Sequence, residues 1–427
     1  MDTAWPTIES IELVRSVTQA ILAAIDPSQA VARWAESLPV GDTPISLLAV
    51  GKAATPMATS ALNTLGDRVA RSLVYSTEHP SAPSLDTRCT VLIGDHPLAT
   101  DRNVAGARQV VEFLTDPSAS DHHLIVLLSG GGSALLTLPA PGLHLDELTH
   151  LAATLMRRGC PIEELNCVRK HCEQLKGGRL AGTSSAKRTT VCVLSDVIGD
   201  PLTTIASGPF APDPTTFADA LDVLTQYDAL DLSEAITDFV RAGAAGDHAE
   251  TPKPGDPVFD RVTHNVILNN TDAVLAARDA IGTPDHIPAI LSAHTGTAQN
   301  AAKRLAEALG QHNAVVLGGE PVVAGVPEGS LGGPIQEAVL AAALELESDL
   351  FDWLVMGLAT DGRDGPTDAA GAAIDRTMLR HARDRGLPLE DAIHSHNTHP
   401  LLSDMNALIR TGLTGTNVND VLIAVRR

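Results

Sequence analysis

The run Ser129-Gly130-Gly131-Gly132-Ser133 follows the apolar stretch Leu124–Leu128 and precedes Ala134-Leu135-Leu136. Three glycines let backbone amides approach a ligand closely, and a helix starting there favours an anion. The run reads as a phosphate or carboxylate cradle; a tight strand-to-helix turn is the plainer alternative. No GK[ST] follows and the spacing is not GxGxxG, so neither a Walker A loop nor a dinucleotide fingerprint is present. Gly51-Lys52-Ala53-Ala54 closes a second apolar run, Ile45–Val50. A lysine there can meet a phosphate as a point charge, or simply be solvated. Leu194-Ser195-Asp196-Val197-Ile198-Gly199-Asp200-Pro201 places two carboxylates four residues apart at a third strand end. Asp196 suits a Mg²⁺ ligand or the acceptor of a hydroxyl proton, whereas Asp200 before Pro201 suits an Asx-type turn.

Three further segments carry weaker signals. Thr360 to Gly371 holds Asp361, Asp364 and Asp368 among three glycines. It lacks the EF-hand spacing and terminal Glu, so a Mg²⁺–phosphate or substrate-hydroxyl site competes with a surface turn. Gly318-Gly319-Glu320-Pro321 offers Glu320 as a substrate or metal contact. Thr411 to Asp420, with Thr414 and Asn417, is dense in hydroxyls and amides that suit a phosphate or a sugar acid, or a turn into a last strand over 421–425. His96, His171, His394, His396 and His399 have no HExxH-like spacing and read as non-metal histidines.

These residues need a scaffold that gathers strand ends. Short apolar runs ending in Gly, Ser or Asp recur at 45–50, 91–93, 124–128, 191–194, 314–317 and 354–356. Helical patterns at 103–114, 145–156, 272–280 and 298–309 lie between them. This is the grammar of an α/β protein with a parallel sheet, where ligands bind beyond the carboxyl ends of strands. A length of 427 residues suggests two domains, and the Pro/Gly-rich stretch Arg241–Pro257 is the expected break, giving 1–250 and 256–427.

Composition limits the partners. The net charge of −22, from 30 basic and 52 acidic residues, and an aromatic content of only 3% argue against nucleic-acid binding. A hydrophobic content of 44% excludes a mainly disordered chain. Five cysteines without a CxxC pair read as reduced thiols of a cytoplasmic protein. The start lacks a basic n-region and reads as an amphipathic helix, and the glycines at 130–132 break the most apolar run, so no membrane span is expected.

Taken in order, the motifs resemble the glycerate 2-kinase family with a C-terminal MOFRL domain. The matches are Ala49-Val50-Gly51-Lys52-Ala53-Ala54, Gly94-Asp95-His96-Pro97, Leu128 to Leu135, Asn166 to His171, Leu175-Lys176-Gly177-Gly178-Arg179-Leu180, Leu194 to Asp200, Ile205-Ala206-Ser207-Gly208-Pro209, Thr251 to Pro257, Thr360 to Gly371 and Thr414 to Asp420. The resemblance implies ATP- and Mg²⁺-dependent phosphorylation of D-glycerate at its 2-hydroxyl. It also implies a Rossmann-like N-terminal domain and a smaller α/β MOFRL-type domain with the active site in the cleft between them. One region departs: where relatives typically read GGRNQE, this chain reads Gly332-Gly333-Pro334-Ile335-Gln336-Glu337. Arg363, in a nearby motif, is a candidate to supply the missing charge.

Phosphoryl transfer needs an anion cradle, a positive charge, a metal and a positioned hydroxyl. The expected cradle is Ser129, Gly130, Gly131, Gly132 and Ser133, and the charge is Lys52. Asp196 is expected to orient or deprotonate the hydroxyl or to hold the metal with Asp361. Lys176, Thr414 and Asn417 are expected at the nucleotide, and Arg169, Glu320, Asp361 and Asp364 at glycerate. A homodimer is compatible with this reading. The alternatives are an NAD(P)H-dependent hydroxypyruvate reductase, a kinase for a related sugar acid, and a non-catalytic family member.

Overall fold

A computed structural model describes residues 8–39, 41–77, 89–283 and 286–427. The first seven residues of the expected N-terminal helix lie outside the described residues; the helix itself runs Ile8–Ala24. The chain forms two compact units: Pro27–Ile267, and Leu268–Arg427 together with that first helix. The division therefore falls near residue 267 rather than within 241–257. The stretch before it belongs to the first unit, because Thr251 and Pro252 bond to Asp213 there.

The sheet of the first unit contains β1 (Ile45–Val50), β2 (Val69–Ser76), β3 (Cys89–Ile93), β4 (His123–Leu128), β5 (Arg188–Leu194) and β6 (Val262–Leu268), in the order 3-2-1-4-5-6. The pairs β1–β2, β1–β4, β2–β3 and β4–β5 are parallel. Strands β1 and β4 are buried at every position, which is why they read as unbroken apolar runs rather than as alternating ones. Leu48, Val50, Val126, Leu128, Val191 and Val193 pack with Val110 and Phe210 in one core. Truncating such a side chain to Ala typically costs about 2–5 kcal/mol. A separate apolar cluster gathers the helices Leu145–Arg157, Ile162–Cys172, Phe217–Gln226 and Glu234–Ala244.

The second unit carries β7 (Ala289–Thr297), β8 (Ala314–Val322), β9 (Trp353–Ala359), β10 (Gly371–Asp375), β11 (Leu408–Ile409) and β12 (Asp420–Arg426), in the order 11-10-9-12-8-7. Only β7 and β8 pair in parallel; β12 runs antiparallel to both β8 and β9, and β10 antiparallel to β9 and β11. The α/β class holds, but this sheet is mixed rather than purely parallel. None of the five cysteines takes part in a disulfide. No described helix is long and apolar enough to cross a membrane.

Candidate functional site

The order 3-2-1-4-5-6 reverses direction between β1 and β4, and a crevice opens beyond the carboxyl ends of strands at such a point. The two sequence motifs with the clearest chemistry sit there: Gly51-Lys52 after β1 and Ser129 to Ser133 after β4. Backbone bonds lock the two loops together. Ser129 N–H donates to Val50 O at 3.0 Å and Lys52 N–H to Gly130 O at 2.9 Å. The Ser129 hydroxyl accepts from Ala53 N–H at 3.1 Å, so its hydroxyl is part of the scaffold. Gly51 is required for this approach: its φ is +124°, and a Cβ there would lie 2.5 Å from Ser129 O.

The glycine loop turns through Gly131 in the left-handed region (φ +87°) into the short helix Gly132–Leu135. Among the described residues, the backbone N–H groups of Gly130, Gly131, Gly132 and Ser133 donate to no protein acceptor. Four consecutive unused donors beside a lysine form an anion-binding concavity. A Cβ on Gly132 would lie 2.6 Å from the Ala206 Cβ, so the turn Ile205–Ser207 backs the loop. Ser207 Oγ contacts Ser133 Oγ at 2.9 Å and donates to Asn166 Oδ1 at 3.2 Å. Ala206 and Ser207 both have positive φ, 50° and 62°, a costly conformation for residues with a side chain.

Asp196 lies under the loop. A Cβ on Gly130 would fall 1.9 Å from its Oδ2. Burial raises its pKa, and the positive charge of Lys52 opposes that shift. The expected pairing of Lys52, the glycine loop and Asp196 is therefore present in one place. Arg169 joins them at the edge: its Nη2 donates to Ser133 O at 3.4 Å and its Nε lies 4.0 Å from Glu173.

Lys176 is placed differently from the nucleotide-contact expectation. It is fully buried, and its ammonium donates to Leu136 O (2.8 Å), Thr137 Oγ1 (3.3 Å) and Glu173 Oε2 (2.7 Å). All three donors of the ammonium are used within the protein. The cause is local: Lys176 follows Glu173 by three residues, its ammonium caps the Leu136 carbonyl at the end of the glycine-loop helix, and Glu173 accepts from Leu138 N–H at 3.3 Å. Burial lowers its pKa to about 8.

Sequence reasoning gave no role to two residues beside the loop. His96 lies against Gly131: a Cβ there would be 3.3 Å from the imidazole Cδ2 and 3.2 Å from Lys52 Cγ. Asn103 is fully buried and positions the turn that carries His96. Its amide donates to Asp95 O and to Ala134 O, each at 2.9 Å, and its Oδ1 accepts from Asp95 N–H at 3.0 Å. Asn103 begins the helical pattern over 103–114, and nothing in that spacing marks it.

The remaining expected residues lie in the second unit. Thr414 Oγ1 donates to Thr360 O at 2.6 Å, and Asn417 Oδ1 accepts from Asn419 N–H at 3.0 Å, so both close their own loop. Asp361 accepts from Arg363 N–H at 2.9 Å, and Glu320 is exposed at the end of β8. Asp364 differs from the glycerate-contact expectation. It is buried, and it accepts from Ile335 N–H (3.0 Å), Gln336 N–H (2.8 Å) and Gln336 Nε2 (3.0 Å). It thereby caps the helix Pro334–Glu345, whose first residue is the proline in the departing motif. Burial raises its pKa to about 6 despite those bonds. Ile335 is fully buried in the core. Arg363 is exposed on the loop after β9.

No group of three or more His, Cys, Asp or Glu side chains among the described residues is arranged to hold a metal ion. The donor set does fit Mg²⁺ carried by a nucleotide, which commonly takes one or two protein carboxylates and completes its shell with phosphates and water. Asp196, partly buried beside an anion cradle, is a carboxylate of that kind.

Two family models match the chain, a domain of unknown function (DUF4147) over residues 13–241 and the MOFRL family over residues 313–420. A protein of Thermotoga maritima named D-glycerate 2-kinase is 34% identical, over 97% of each chain. The chain belongs to the glycerate 2-kinase family. A Pyrococcus horikoshii glycerate 2-kinase is also 34% identical, over 89% of this chain and 87% of its own. The crystal structure of a Thermotoga maritima glycerate kinase superposes with a TM-score of 0.86 at 32% identity, covering 98% of this chain and all of that one. An Agrobacterium vitis protein named putative hydroxypyruvate reductase is 30% identical over 98% of this chain. In this glycerate 2-kinase family member the glycine loop, Lys52 and Asp196 lie together, and Pro334 starts the helix that Asp364 caps.

Proposed function

We propose that this protein transfers the γ-phosphoryl group of ATP to the 2-hydroxyl of D-glycerate, giving 2-phosphoglycerate and ADP. The observation that carries the reading is the run of four unused amides at Gly130–Ser133, flanked by Lys52 and Asp196, in a chain of this family. The amides bind phosphate oxygens, and Lys52 adds a point charge beside them. Both act on charge that spreads over the phosphoryl oxygens in the transition state, where preorganised donors contribute most. Asp196 orients the acceptor hydroxyl or holds the metal; Asp361 and Glu320, in the second unit, are proposed from their motifs alone as metal or substrate contacts. Mg²⁺, when bound, neutralises negative charge on the reacting phosphates. Arg169, whose carboxylate neighbour is 4.0 Å away, is assigned to the glycerate carboxylate. Five cysteines outside any disulfide support a cytoplasmic location.

The topology alone would also suit a nicotinamide enzyme. A dinucleotide fingerprint, however, belongs in the turn after the first strand, and here that turn reads Gly51-Lys52-Ala53-Ala54. The test is ADP release over a panel of small hydroxy acids with Mg²⁺, alongside nicotinamide oxidation with hydroxypyruvate. Glycerate-dependent ADP release supports the kinase. Oxidation of NADH or NADPH without ADP release would replace it with the reductase.

A further inference from the structure

The glycine loop has a second side chain beside Lys52 that the assignment above leaves idle. His96 sits with its Cδ2 at 3.3 Å and its Nε2 at 3.6 Å from the position of a Cβ on Gly131, on the face that Lys52 Cγ also occupies. Neither ring nitrogen has a hydrogen-bond partner among the described residues, and the residue is open to solvent. Its placement is not accidental slack. Asn103 clamps the preceding residue, Asp95, through both its backbone N–H and its carbonyl, and ties the same point to Ala134 at the far side of the glycine loop. The imidazole is thus held against the anion cradle by a fully buried bracket while its own nitrogens stay unused.

We propose that His96 is a further catalytic residue: it accepts the proton of the acceptor hydroxyl as the phosphoryl group transfers. This inference rests on the kinase reading. In the step, the hydroxyl oxygen forms the new O–P bond and its proton passes to a free imidazole nitrogen. The bond between the γ-phosphorus and the bridging oxygen breaks, and ADP leaves with that electron pair. The imidazolium then returns its proton to solvent.

Physical chemistry favours this group over a second carboxylate. A neutral imidazole brings no negative charge toward the phosphoryl oxygens, whereas a carboxylate would repel them. Partial burial and the nearby Lys52 charge keep the ring neutral, with its pKa lowered to about 4. The charge that acts on it from a neighbouring element is Lys52 after β1, and the adjoining Asp95 is paired with Arg102 at 3.4 Å. A neutral imidazole can accept the proton late, after the oxygen has begun to bond to phosphorus and its proton has become acidic.

The experiment compares the wild type, His96→Ala and His96→Gln in glycerate-dependent ADP release, with thermal melting of each as the check on folding. The account expects kcat to fall about 100-fold or more in both variants with KM for ATP nearly unchanged, because general acid–base groups typically contribute 10²–10⁴-fold. Added free imidazole should restore activity in His96→Ala in proportion to its concentration and leave the wild type unaffected. The Gln variant keeps ring-like bulk and a donor, so it separates loss of a base from loss of packing. Retention of kcat within about threefold in either folded variant overturns the proposal. So does a loss in His96→Ala that imidazole does not relieve. A wild type without glycerate-dependent turnover would instead defeat the kinase reading itself, and this inference with it.

Discussion

The carboxyl of Asp196 occupies the space that a side chain at residue 130 would need: an ideal Cβ on Gly130 lies 1.9 Å from Asp196 Oδ2. The glycine is therefore a requirement of the site as much as of the turn. Gly130→Ala should displace the carboxylate and the neighbouring amides together. Misplacement by about 1 Å costs on the order of 100-fold in rate. The expected outcome is a folded protein with kcat reduced about 100-fold, checked by ADP release and circular dichroism.

Lys52 stands beside the glycine loop, and its charge opposes the burial-driven rise in the Asp196 pKa. Lys52→Ala should reduce kcat by about 100- to 1000-fold, the usual effect of losing one transition-state donor. Its melting temperature should stay near that of the wild type, because Lys52 is partly exposed.

Lys176 makes the opposite prediction. It is buried in an ion pair with Glu173 at 2.7 Å, so Lys176→Met leaves a buried carboxylate without its partner. Loss of one member of such a pair typically costs about 3–5 kcal/mol. Chemical denaturation should show that loss, and Lys176→Met with Glu173→Gln should recover much of it. If Lys176→Met weakened ATP binding while stability held, the structural role would be wrong.

Asp364 likewise supports structure, through the helix Pro334–Glu345. Asp364→Ala strands the buried N–H groups of Ile335 and Gln336. An unsatisfied buried donor costs about 1–3 kcal/mol. Denaturant titration should record a loss of at least that size, with KM for glycerate changed less than threefold.

His123 gives the stability a pH dependence. It is 3% exposed in β4, bonded to Thr190 at 2.8 Å, and burial lowers its pKa to about 4 from 6.5. The unfolded chain protonates first, so the folded state is fully favoured above about pH 6.5 and loses ground as the pH falls toward 4. His123→Gln keeps a hydrogen-bonding group and removes the titration. Between pH 7 and 4 the wild type should lose on the order of 3 kcal/mol more than this variant, at about 1.36 kcal/mol for each pH step between the two pKa values.

Strands β1, β4 and β5 are legible in the sequence because they are buried on both faces. Ile45–Val50 was read with the bounds it has, and Leu124–Leu128 missed only His123. Strand β2 escaped because Arg71 interrupts its apolar pattern; that arginine reaches out to Asp116. Strand β7 escaped because it lies at a sheet edge with mostly exposed or half-exposed side chains. The glycine loop, Lys52 and Asp196 were legible from type and position, since each follows a buried strand. Lys176 and Asp364 were misread for one reason: a charged residue in a motif looks the same whether its charge faces a ligand or a buried partner. The placement of His96 and Asn103 beside the loop is not legible in the sequence, because Asn103 brackets segments about 30 residues apart, which spacing does not reveal.

The most direct test of the kinase account is the fate of the phosphoryl group. The protein is incubated with ATP, Mg²⁺ and D-glycerate, and the product is identified by phosphorus and proton NMR beside the same reaction with Lys52→Ala. The account predicts stoichiometric ADP and 2-phosphoglycerate from the wild type and almost none from the variant. Phosphate on the 3-hydroxyl, equal product from Lys52→Ala, or no transfer to glycerate at all would contradict it.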